Sequence, residues 1–279
     1  MRITLKKVIS FLCCLVPFGA SAANYPGGLT IGQNTDNVAV PASDNSLVLG
    51  TNGLDVYESV IIGAVQQAGK GKLYAEQLSG TFTIQSAGDI FIGRGSNTEV
   101  YYGLTIESDA QLAIKSGTDS NINVSLGTVT ANGGLEISEN IGRVTANEIR
   151  AEKALKITAN SADLGTVSVN GADALLALNI TGTLTVDGLY YQYAGTNADI
   201  VGVINTGTGI QSHGSIQNLE GSGALTIKTT NGDVDVTGNI DNMAASMMTF
   251  DGGNIMVTGT MSNQATGGTL KILNASGLA

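Results

Sequence analysis

This sequence predicts an all-β fold: a parallel β-solenoid, expected as a right-handed β-helix with about 20 residues per rung. Three observations predict it. A short strand unit recurs along the chain, the offsets between its copies cluster at about 20 residues or twice that, and both cysteines, Cys13 and Cys14, lie in an amino-terminal leader. A body without cysteine must be held by burial and main-chain hydrogen bonds, and stacked repeats supply both.

The elements follow in chain order. Residues 1–22 read as a secretory signal peptide. Arg2, Lys6 and Lys7 give a positive start, Val8 to Phe18 form an apolar stretch too short to span a bilayer, and Ala20, Ser21 and Ala22 offer the small side chains for cleavage ahead of Ala23. Residues 23–78 read as an amino-terminal cap and lead-in segment, because the first rung of a solenoid would otherwise expose an unpaired edge. This segment holds Pro26 and Pro41, and its stretch ESVIIGAVQQAG at 58–69 fits either a strand or a short helix.

Residues 79–279 carry the repeat. The unit is glycine, a small polar residue, then apolar-polar-apolar, closed by Asn or Asp and glycine: GTVTANG at 127–133, GTVSVNG at 165–171 and GTLTVDG at 182–188. Looser copies stand at 80–86, 142–148 and 223–229. Residues two apart on such a strand share a face, so Val129, Leu135, Ile137, Leu155, Ile157, Val167, Val169, Leu184 and Val186 are expected to stack inside while Thr and Ser face solvent. Glycine suits the corners, where the chain turns sharply and neighbouring backbones approach. Roughly 12 rungs at a strand spacing of about 4.8 Å would make a rod on the order of 60 Å long.

Composition narrows the function classes. Removing the leader with its three cations takes the formal charge from −10 to −13, which repels phosphate backbones and anionic headgroups, so nucleic acid is not an expected partner. No stretch beyond the leader reaches the roughly 18 apolar residues of a membrane helix, and no membrane span is expected in the mature chain. With His213 as its one histidine and no cysteine after the leader, the body cannot assemble a zinc or iron site of the usual ligands. Asp233 and Asp235 alternate along one strand and could seed a calcium site with Asp241 or Asp251, but solvated face aspartates explain them more simply. No metal, no cofactor and no catalytic group is assigned.

Tyr190, Tyr191 and Tyr193 form the densest aromatic patch, with Tyr191 and Tyr193 on one face. Such rings serve either as a ligand or partner contact or as strand-end packing. Met243, Met247, Met248, Met256 and Met261 read as flexible core filler near an irregular rung, or as a partner-facing patch.

The signal peptide, the cysteine-free body and the strands G-T-apolar-T-apolar-N/D-G at 127–133 and 182–188 resemble the β-helical stalks of bacterial surface adhesins, the autotransporter passengers and filamentous-haemagglutinin-like proteins. The resemblance covers residues 80–274 and comes without a translocator barrel, since no terminal run of alternating strands follows. It implies a secreted or cell-surface, non-enzymatic rod that presents a binding face to an extracellular protein or glycan receptor. Two other functions fit a solenoid. A polysaccharide-cleaving β-helix enzyme would centre on His213, and a self-assembling fibre subunit would associate through an uncapped carboxy-terminal rung at 269–274.

Overall fold

The computed structural model describes residues 21–32, 37–63, 70–77, 79–93, 103–107, 109–197, 199–273 and 277–278. They wind into a parallel β-solenoid of about ten turns, averaging about 23 residues each, with no helix. Two sheets make the wall, one of 11 strands and one of 18. Sheet 1 receives one strand from each turn. Sheet 2 bends into two legs, because strands such as Ile122–Ala131 pair with Ile90–Ile92 along their first half and with Gly103–Ile106 along their second. Each turn therefore has three faces, and ten turns at about 4.8 Å make a rod on the order of 50 Å.

Stacked side chains fill the interior. In sheet 1 one column runs Ile84, Ile114, Ile137, Ile157, Leu178, Ile204, Ile227, Phe250 and Ile272. All nine residues expected inside are fully buried, among them Val129, Ile137, Ile157 and Val186. A side chain of this size, once fully buried, stabilises by about 1.5–3 kcal/mol before entropy is counted, so the columns carry the fold. The corners need glycine where rungs touch: a Cβ on Gly133 would stand 1.4 Å from the carbonyl oxygen of Ala110, and one on Gly165 1.7 Å from that of Asn147.

The expected period holds most closely in the middle, the later turns are slightly longer, and the early turns depart from it most. Ile137 pairs with Ile157, one expected period on, but Leu47 pairs with Ile84 and Ile84 with Ile114, so the early turns are longer. The repeat unit is a strand motif, not a turn motif. GTVTANG and GTVSVNG fall on the second leg of sheet 2, GTLTVDG on the first leg, and the copies at 80–86 and 223–229 on sheet 1. The short offset between the copies at 165–171 and 182–188 thus crosses from one face to another. Counting it as a turn shortens the period and overstates the number of rungs, of which there are about ten.

The segment at 23–78 is wound into the same sheets. Ser21–Tyr25, which holds Ala22 and Ala23, pairs with Asp44–Leu49, and that strand pairs with Thr81–Ser86. Residues 1–20, with Ala20, lie outside the described residues. Of the ambiguous stretch at 58–69, Val60–Ile62 is a strand and 64–69 lie outside the described residues. The winding is out of order here: Leu73–Ala75 pairs with both Val38–Val40 and Val60–Ile62, inserting a later strand between two earlier ones. At the other end Thr269–Leu273 adds the last described strand of sheet 1, and its Leu270 and Ile272 are only partly buried.

Candidate functional site

The outer surface of the first leg of sheet 2 concentrates the polar side chains. Alternation places Ser125, Thr145, Asp163, Thr185, Gln211 and Asp235 outward, and consecutive members are register partners from turn to turn. They form one row along the rod, a hydrogen-bonding group about every 4.8 Å. The Thr145 hydroxyl donates to Ser125 Oγ at 3.0 Å within the row, and Arg143 Nη2, in the flanking column, pairs with Asp163 at 2.8 Å.

Where this leg meets the second, the ladder skips a residue. Ala146 pairs with Leu164 and Glu148 with Thr166, and likewise Leu164 with Val186 and Thr166 with Gly188. Asn147, Gly165 and Asp187 stand at the bend between these paired stretches. Here the wall dips into a depression of about 340 Å³ lined by Thr145, Asn147, Asp163 and Asp187. His213, the lone histidine, stands beside it with Nδ1 3.2 Å from Asp187 Oδ1, both side chains exposed. A second depression of about 330 Å³ lies at the corner between this leg and sheet 1, among Thr208, Gln211, Asn231, Asp233, Asp235 and Met256. Carboxylates, amides and hydroxyls dominate both, and they suit a polar ligand bound by hydrogen bonds.

The tyrosine patch divides. Tyr191 and Tyr193 do share a face, but it is the inner one: Tyr191 is fully buried and Tyr193 is 8% exposed. They cannot offer their rings to a ligand, since their strand Thr183–Tyr193 turns these positions into the coil. Tyr191 Oη donates to the Ala174 carbonyl at 3.3 Å, and the pKa of this hydroxyl is pushed up to about 12, first by burial and then by Tyr193. The leucine column of sheet 1 has Gly202 between Leu176 and Leu225, and a Cβ there would stand 3.0 Å from the Tyr191 ring. One large residue on sheet 2 thus fills what a small one leaves on sheet 1. Tyr190 points outward and packs over Gly188.

The four aspartates considered for calcium are not brought together. Asp233 and Asp235 face outward on the first leg, where Asp233 Oδ1 accepts the Asn254 amide at 2.7 Å. Asp241 is buried on the second leg and accepts from Gln217 and Ser262, while Asp251 ends a sheet 1 strand beside Lys228. Among the described residues no group of three or more His, Cys, Asp or Glu could hold a metal ion. The methionines split as well: Met248 is core, and Met247 and Met256 are exposed.

Sequence patterning did not reveal the bend. Asn147, Gly165 and Asp187 occupy the same place in successive turns, but they fall at the sixth, first and sixth positions of their repeat units, and alternation alone reads such positions as strand ends. Set against protein-family models, curated proteins and solved structures, the chain matches none.

Proposed function

We propose that this protein is a secreted or cell-surface scaffold of the adhesin type, non-enzymatic, whose binding face is the outer surface of the first leg of sheet 2. The observation that carries the reading is the row from Ser125 to Asp235, which sets one polar side chain per turn in unbroken register along the rod. An extended glycan or peptide lying parallel to the rod axis would meet a partner at every rung, and many weak hydrogen bonds would add along its length. The net negative charge, −10 with the leader and more negative without it, favours neutral or cationic receptors over polyanions.

The test is binding of the purified chain to glycan arrays and to extracellular matrix proteins. A row variant, Thr145→Ala with Asp163→Ala and Gln211→Ala, is compared with an Arg150→Ala control on the second leg of sheet 2. The row variant should lose roughly tenfold or more in affinity while the control is unchanged. Equal binding by both, or none by the parent chain, overturns the proposal. Hydrolysis of a polysaccharide that disappears in His213→Ala would favour the enzymatic reading instead.

A further inference from the structure

The outer face of sheet 1 differs from that of sheet 2. Its first outward column reads Ala154, Leu175, Val201, Ala224 and Met247, apolar over five successive strands. Beside it, Ala177 and Val203 widen the stripe to two columns. Among the described residues three large hydrophobic side chains are exposed, and two of them, Val201 at 36% and Met247 at 42%, are on this stripe. An apolar band on an otherwise polar rod marks an interaction surface.

We infer that a second copy of this chain covers the stripe, sheet 1 against sheet 1, about a twofold axis running along the strand Val201–Thr206. The pattern is self-complementary about that strand. A twofold axis along it reverses the rung order and keeps the position along the strand, so Val201 and Val203 meet their own copies. Leu175 then faces Ala224, and Ala154 faces Met247, matching large against small. Three rungs out on either side the middle column ends in opposite charges, Glu136 on one side and Lys271 on the other, and the axis brings them face to face.

The area suffices. Seven strands, from Leu135–Ser138 to Thr269–Leu273, form this face. At about 4.8 Å per rung and about 20 Å of strand length they cover roughly 670 Å² on each copy, near the lower end of stable protein interfaces. This contact leaves the polar face of sheet 2 free, so each dimer would present two of them. It differs from end-to-end fibre growth because an isologous contact closes on itself.

Sedimentation velocity of the full chain over a wide concentration range tests it. The chain should reach a limiting dimer and go no further. Val201→Glu sets two like charges against each other on the axis and should weaken the dimer by roughly a hundredfold. Glu136→Lys and Lys271→Glu should each weaken it several-fold, and the double charge swap should restore it, an outcome that a fold defect cannot mimic. In a Cys13→Ser, Cys14→Ser background, a short bis-maleimide should join Val201→Cys chains into dimers and leave Gln211→Cys chains single. A monomer at every concentration overturns the inference. So does association that grows into rods without limit and is indifferent to Val201→Glu.

Discussion

The turns between residues 122 and 193 and those after Gly209 solve the same packing problem with different chemistry. In the first region a single strand of 10 or 11 residues spans both legs of sheet 2. In the second the legs are separate short strands, Gly209–Ser212 with Ile216–Asn218 and Asp233–Val236 with Ile240–Asn242. One column crosses both regions: Ala131, Ala151, Val169 and Tyr191, then Asn218 and Asn242, all buried, and last the exposed Asn263.

Above Tyr191 the column is held by amides. Asn218 Nδ2 donates to Asn242 Oδ1 at 3.0 Å, Asn242 Nδ2 donates to Asn263 Oδ1 at 2.9 Å, and the same Asn242 nitrogen also reaches the carbonyls of Ser246 and Thr269. A buried amide is costly unless its donors and acceptors are met, and the repeat of one rung on the next meets those of this ladder except Asn218 Oδ1, which faces Tyr191 without a hydrogen-bond partner. The lesson is that stacking fixes position, not polarity: a column accepts any residue whose neighbours above and below complete it.

Substitutions at four positions sharpen this contrast. The largest effect is expected in the apolar centre, where Ile157→Ala should cost about 2–5 kcal/mol in urea unfolding. The equivalent Ile272→Ala, in the same column but partly exposed in the last described strand of sheet 1, should cost under about 2 kcal/mol. Equal losses would mean that the two regions unfold as one unit of uniform packing.

Next, Asn242→Ala removes the middle of the amide ladder: Asn218 Nδ2 keeps only the Gly223 carbonyl, and the carbonyls of Ser246 and Thr269 lose the Asn242 donor. A loss of about 2 kcal/mol or more is expected, and Asn242→Leu should not recover it. Recovery by leucine would show that the ladder acts only by filling space.

The smallest effect at neutral pH is Tyr191→Phe, about 0.5–1.5 kcal/mol for one hydrogen bond to Ala174. Its signature is alkaline. Because the folded hydroxyl titrates at about 12 and the unfolded one near 10, the stabilisation from Tyr191 is fully present below pH 10 and is lost as pH rises through 12. Unfolding midpoints of the parent should therefore fall relative to Tyr191→Phe across that window. Parallel curves would mean that the hydroxyl is not buried.

Much of the fold was legible from alternation. The residues expected inside, Val129 through Val186, are inside, because apolar side chains at period two leave a strand only one way to face a core. Tyr191 and Tyr193 were assigned to one face for the same reason. Which face was not legible, since aromatic rings suit a ligand surface and a core alike and only the missing side chain at Gly202 decides between them. The bend at Asn147, Gly165 and Asp187 escaped because one skipped residue shifts the alternation without changing its composition.

What the sequence determined by itself is local and periodic: strands, their inner sides, the glycines at corners and the parallel stack that a short, regular repeat demands. What only the tertiary structure decided is which strand lies on which face, the out-of-order place of Leu73–Ala75, and the sorting of outward residues into a polar row on one sheet and an apolar stripe on the other. The physical reason is register. A strand motif specifies its own two sides, but its neighbours above and below are set by the lengths of loops many residues away, and those neighbours decide what surface the rod presents.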